Sequence, residues 1–420
     1  MTWLRSAALA DGRVVDIRLD PVAGTIAEVS TARRLEPRNV DRPSTGAGDI
    51  DLDGYLVLPA PAEPHAHLDK ALTADRIPNP KGDLLGAIQA WIANLGTLNV
   101  DEIAERAKRA AIELVMSGTT AIRTHVNVDP GLGTDAVEAL IRVRDDLAAF
   151  CDIQIVALCG TPLTADAGRE YRAIFRDALL TDRHVFVGGC PHLDPSPLEA
   201  SNICFEMAMQ FGRPIDLHTD ETLDPAHLEL RYLAQRVRES GFDLGASASH
   251  CVSLAMQPET VQREVSSEVA AAGVAVITLP QTNLFLQGRD HHVATPRGLT
   301  AIRPLLEAGV VVGAGADNVR DPFNSMGRSD PLETASLLVM AGHLLPHEAY
   351  TAVSDHARRA MGLPVVRIEV GSPAELIAVR GSNIADAIAR ADQDRYVWHR
   401  GRLVASVAVT RTLHRSDTVA

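Results

Sequence analysis

Apolar positions change their spacing twice along the chain. In roughly the first 55 and last 50 residues they fall in short alternating runs broken by turn pairs, the signature of half-exposed strands. Asp11-Gly12 sits between two such runs and predicts a hairpin, and Asp53-Gly54 precedes another short run. Ala374–Arg380 reads as a strand, and Tyr396–His399 and Leu403–Val407 flank Arg400-Gly401 as a second hairpin. Between Leu58 and Leu363 the pattern differs, because compact apolar runs alternate with segments at three- and four-residue spacing. The runs Val57–His67, Thr120–Val126, Ile153–Leu158, Val185–Gly189, Pro214–His218, Ala246–His250, Val274–Leu279 and Val310–Ala316 predict strands. Ala104–Met116, Asp135–Leu147, Pro197–Met209, His227–Arg238 and Glu259–Ala272 predict the amphipathic helices between them, while Asn79–Asp83 and Asn283–Thr295 read as loops.

Eight strands alternating with helices predict parallel β/α units closing into a (β/α)8 TIM-type barrel. The β-rich ends predict a small β-sandwich built from both termini. The expected division is residues 1–57 and 366–420 for the sandwich and 58–365 for the barrel.

Composition narrows the class. The 420 residues are 46% hydrophobic, 4% aromatic and 22% charged, as in ordinary globular proteins, and leave room for a large core. A formal net charge of −14 argues against nucleic acid or an anionic membrane as partner. The five cysteines form no CxxC pair and read as reduced thiols. No apolar run is long enough for a membrane span, and the N-terminus does not read as a signal peptide. The expectation is a cytoplasmic enzyme.

The candidate chemistry sits at strand ends. His65 and His67 are two residues apart on a strand, so both imidazoles enter one space, which suits a divalent metal; two unrelated surface histidines are the alternative. His218, His250 and Asp317 each close or follow a further predicted strand, at the C-terminal face where barrels build active sites. That joint placement points to a metal site. Glu221, three residues past His218, is placed either as a general acid/base or as a glutamate favoured by a helix start.

The stretches His65-Ala-His67-Leu-Asp, His218-Thr-Asp-Glu221, Ser249-His250 and Ala316-Asp317-Asn318-Val-Arg-Asp321-Pro322 together resemble the cytosine deaminase branch of the amidohydrolase superfamily. Arg123-Thr-His125, Gly189-Cys-Pro-His192 and Leu279–Arg289 extend the resemblance, which covers about residues 50 to 345. It implies one divalent metal, zinc or iron, held by His65, His67, His218 and Asp317. Glu221 would shuttle protons and His250 would orient the attacking water, with Asp317 helping to take up its proton. The superfamily's two-metal branch has a lysine at the end of strand four; Val-Gly-Gly-Cys-Pro-His stands here instead, implying a mononuclear site.

Departures from the branch fall on expected substrate contacts. In the segment around Leu158, Gly160 occupies the place of a pyrimidine-reading glutamine; Asn318 replaces an aspartate and Phe323 a tryptophan. Lys70, in His67-Leu-Asp-Lys70, resembles the N-alkylammelide amidohydrolases and would pair a substrate oxyanion, unless it only forms a surface salt bridge with Asp69. His192 and Gln281 are further pocket candidates, and His125 reads as a support residue behind the site. The resulting expectation is hydrolysis of a C–N bond on a small nitrogen heterocycle such as an amino-pyrimidine. Alternatives are an N-alkylammelide or cyclic-amide substrate, or a non-catalytic barrel scaffold. A homo-oligomer is expected by family analogy alone.

Overall fold

A computed structural model describes residues 1–32 and 48–414. Its core is a sheet of eight parallel strands hydrogen-bonded in chain order: Ala62–Ala66, Ala121–Val128, Asp152–Cys159, Val185–Gly189, Ile215–Thr219, Ala246–His250, Ala275–Thr278 and Val312–Ala314. First and last strands meet through a bridge between Ala66 and Asp317, so the sheet curls into the expected barrel. Helices cover its outside. Val100–Met116 is started by Asn99, whose side chain accepts the Glu102 N–H, and it buries Ile103, Ala107, Ala111 and Leu114 on one face. Asp135–Leu147 and Glu259–Ala272 have the bounds that their periodicity predicts.

Both chain ends enter one mixed sheet. Thr2–Ala8 and Val14–Asp20 form the hairpin turned by Asp11-Gly12, and Arg395–His399 pairs with Arg402–Val407 around Arg400-Gly401. Tyr55–Pro59 joins the two ends, lying parallel to Thr2–Ala8 and antiparallel to Leu376–Arg380. A separate core containing Leu4, Ile17, Leu19, Leu52 and Trp398 fills one side of this sheet.

Two expectations are corrected. The run Val57–His67 is not one strand, because Tyr55–Pro59 belongs to the terminal sheet and Ala62–Ala66 to the barrel. Pro59 and Pro61, which have no N–H to give a ladder, bracket the break. The loop expected from Asn283 begins later: Pro280–Leu286 is helical, with proline at its first position, where no N–H is needed. Among the described residues no helix is long and apolar enough to cross a membrane.

Candidate active site

The strands deliver their terminal side chains to one end of the barrel. His65 Nε2 lies 3.2 Å and His67 Nε2 3.0 Å from His218 Nε2. Oδ1 of Asp317 lies 3.6 Å from His65 Nε2 and 3.3 Å from His67 Nε2. All four residues are buried. Asp317 and His250 have left-handed backbones (φ 73° and 69°), a conformation that non-glycine residues hold only where surrounding structure enforces it.

This arrangement fits a metal ion. Zinc–ligand bonds of about 2.0–2.1 Å in a tetrahedron place donor atoms roughly 3.3 Å apart, close to the spacings above. Asp317 Oδ1 is buried without a hydrogen-bond partner among the described residues. Burial, with so many imidazoles crowded together that they cannot all be charged, holds His65, His67 and His218 well below their usual range, so they are neutral donors. Burial and the nearby carboxyls of Glu221, Asp321 and Glu63 push Asp317 well above its usual range. The outer nitrogens are oriented too. His67 Nδ1 donates to the His125 carbonyl at 3.1 Å, and His65 Nδ1 meets Ser249 Oγ at 2.8 Å.

Beside this set stand His250 and Glu221. His250 Nδ1 donates to Asn283 Oδ1 at 2.9 Å, which leaves Nε2 as an acceptor, 3.9 Å from Asp317 Oδ2. Burial lowers the His250 pKa to about 4, so the ring is neutral. Glu221 Oε1 lies 3.5 Å from His250 Nδ1. Burial raises the Glu221 pKa to about 8, which favours its protonated form.

His67, His218, Glu221, His250 and Asp317 line a cavity of about 420 Å³. Of the expected substrate contacts, Lys70, Leu158, Gly160, Asn318 and Phe323 line it. His192 lies behind His218, its Nδ1 3.4 Å from the His218 carbonyl, and lines an adjoining cavity that shares Leu84, Ile88, Leu193 and Glu221 with the first. Gln281 lines neither cavity and donates instead to Glu333 at 3.0 Å. The Asn318 amide is occupied by Asp321 at 2.9 Å and Thr282 at 3.2 Å. Lys70 does not form a surface salt bridge. Its ammonium is buried 3.2 Å from Asp69, 5.4 Å from the Trp91 ring centroid and 6.0 Å from that of Phe323. His125 is buried with its ring stacked 4.0 Å from that of His65.

Sequence reasoning missed three parts of the wall. One is the helix Leu84–Asn94, which lends Leu84, Ile88, Trp91 and Ile92 and whose only signal was its apolar run. The second is the pair Asn127 and Asp129, joined at 3.2 Å across the end of the second strand. The third is Tyr171, packed over Gly160: a β-carbon there would lie 3.0 Å from Tyr171 Cε1 and 3.3 Å from Asp129 Cβ. Cys159 and Cys190 also line the cavity, but burial raises both thiols, so neither is a ready thiolate.

Comparison with known proteins agrees with this geometry. The family model described as Amidohydrolase family matches residues 163–405. A pterin deaminase of Rhizobium rhizogenes is 33% identical over 366 residues, 84% of this chain and 82% of that protein. An N-isopropylammelide isopropyl amidohydrolase of a Pseudomonas species is 26% identical, covering 85% of this chain and 87% of its own. Among solved structures, 5-methylcytosine deaminase from Klebsiella pneumoniae liganded with 5-fluorocytosine superposes with a TM-score of 0.85 at 27% identity, covering 98% of this chain and 99% of that one. Barrel, strand-end residues and family match converge: this chain belongs to the amidohydrolase family, in its cytosine deaminase-like branch.

Proposed function

We propose that this protein deaminates an amino-oxo nitrogen heterocycle, and that a fused two-ring substrate of the pterin class fits better than cytosine. The observation that carries the reading is geometric: Glu221 stands 3.5 Å from His250, and both line one cavity with His67, His218 and Asp317, which converge with His65 as a donor set. Zinc and iron both accept three imidazoles and a carboxylate. Bound there, such an ion supplies an activated water as nucleophile near neutral pH. His250 Nε2 and Asp317 would orient that water and take up its proton. Glu221 would give its proton to the ring nitrogen beside the attacked carbon, pass the proton taken from the water to the departing amine, and regain its own from the hydroxyl of the tetrahedral centre as the oxo group forms. One water is consumed, the C–N bond breaks, and ammonia leaves behind an oxo ring.

Ring size is argued from the wall opposite. Trp91 and Phe323 offer aromatic surface and Lys70 a buried cation for the ring oxygen. Gly160, with Tyr171 and Asp129 packed over it, leaves no side-chain amide from that position for a pyrimidine edge. The 33% identical relative is named a pterin deaminase. A second reading, release of an alkylamine from an N-alkylammelide, is favoured by the apolar side chains of Leu84, Ile88 and Leu193 beside Glu221.

The test is product release by metal-loaded protein offered pterin, cytosine, 5-methylcytosine, isoguanine, ammelide and N-isopropylammelide. Ammonia from pterin in clear excess over cytosine supports the two-ring reading. Isopropylamine as the main product moves the function to the second reading. Silence across the panel with metal bound removes both.

A further inference from the structure

We propose that Glu63 is a positioning residue that sets the spacing of His65 and Asp317 across the seam of the barrel. The inference rests on reading those two residues as metal ligands. Elsewhere around the barrel, adjacent strands are tied by ladders of several paired residues. Between the first and last strands the described pairing is the single bridge of Ala66 with Asp317. Two backbone bonds accompany it: Asp317 N–H to the His65 carbonyl at 3.1 Å, and His67 N–H to the Asp317 carbonyl at 3.3 Å. Two of the four donors therefore sit on the least-laddered junction of the sheet.

The Glu63 side chain reinforces that junction. Its Oε1 accepts the His65 N–H at 3.2 Å, and the Ala316 N–H points at both oxygens, 3.2 Å from Oε1 and 3.0 Å from Oε2. One carboxylate thus holds the amide of one ligand and the amide immediately before the other. The space it occupies belongs to a missing side chain: a β-carbon on Gly315 would lie 2.1 Å from Glu63 Oε1. Glu63 and Gly315 form a matched pair in which the glycine admits the carboxylate and the carboxylate replaces a strand ladder. Glu63 is buried and has no ion-pair partner among the described residues. These two backbone amides are its hydrogen-bond donors.

The test uses the full chain loaded with cobalt(II), whose visible absorption reports ligand geometry. Glu63→Gln keeps the volume and one acceptor oxygen but turns a donor amide toward one of the two N–H groups. The expected result is a 10- to 100-fold loss of cobalt affinity, a shifted visible band, and a fall in kcat with KM little changed. Gly315→Ala, by displacing the carboxylate, should shift the band in the same way, and Glu63→Ala/Gly315→Ala should be no worse than Glu63→Ala alone. A folded Glu63→Gln protein with wild-type cobalt affinity and spectrum overturns the positioning role while leaving the ligand assignment standing. Additive effects of the two alanine substitutions overturn it as well. A wild-type chain that binds no cobalt overturns the ligand assignment itself, and this inference with it.

Discussion

The hydroxyl of Ser249 stands 2.8 Å from His65 Nδ1 and donates to Asp216 Oδ1 at 3.2 Å. Asp216 in turn accepts from Arg123 Nη1 at 2.7 Å, and all four groups are buried. A hydroxyl that donates to Asp216 must accept from His65, so the His65 proton is held on Nδ1 and the Nε2 lone pair faces the donor set. Such outer partners fix both tautomer and ring direction.

Ser249→Ala should therefore weaken metal binding by 10- to 100-fold while leaving the fold intact. Competitive titration against a chelator measures this directly. An affinity within twofold of the parent protein would show that Ser249 plays no part in presenting His65.

Glu221→Gln tests the proton path separately from the metal. Glutamine keeps the size of Glu221 but cannot deliver a proton, and Glu221 is not one of the four converging donors. Turnover should fall by about 10²- to 10⁴-fold with metal content unchanged. Retained turnover at full metal occupancy would exclude Glu221 as the acid.

How much of this site could be read from the chain depends on what each residue does. His65, His67, His218, His250 and Asp317 were legible because strand ends in a parallel barrel share one face, so residues distant in sequence had a common destination. The wall of the cavity was not legible. Trp91 and Ile88 lie on a helix whose apolar positions look the same whether they face a core or a ligand. Lys70 was open to reading as a surface charge, since only the fold puts it under Trp91. The seam role of Glu63 depends on the contact with Gly315, 252 positions away, which no local pattern encodes.

Gly160 gives a prediction on selectivity. A methyl group there would press on Tyr171 and Asp129, both of which line the cavity, from 3.0 and 3.3 Å, so that wall must give way. Gly160→Ala should lower kcat/KM for a two-ring substrate by roughly tenfold, the effect of about 1.4 kcal/mol, and should affect a single-ring substrate less. Parallel kinetics on pterin and cytosine decide the point, and an equal loss on both would mean that this wall does not measure ring size.

Glu375 yields a pH prediction that concerns the fold and not the chemistry. Its Oε2 meets His399 Nδ1 at 2.9 Å, its Oε1 accepts the Arg400 N–H at 2.9 Å, and its backbone carbonyl accepts the Ala60 N–H at 2.9 Å, just before the first barrel strand. Burial acts to raise its pKa, but the His399 hydrogen bond and charge, the Arg358 charge and the Arg400 amide outweigh that, and the net direction is downward. A carboxylate lowered on folding contributes stability that is full above its unfolded value, about 4.3, and is lost as pH falls through the lower folded value. Glu375→Gln should cost about 1–3 kcal/mol at pH 7. The gap to the parent protein should stay constant down to about pH 5 and narrow below about 4.3. Urea unfolding at pH 7, 5, 4 and 3 measures it. A gap that persists undiminished at pH 3 would mean that Glu375 acts through packing, with its charge contributing nothing to the joint between the terminal sheet and the barrel.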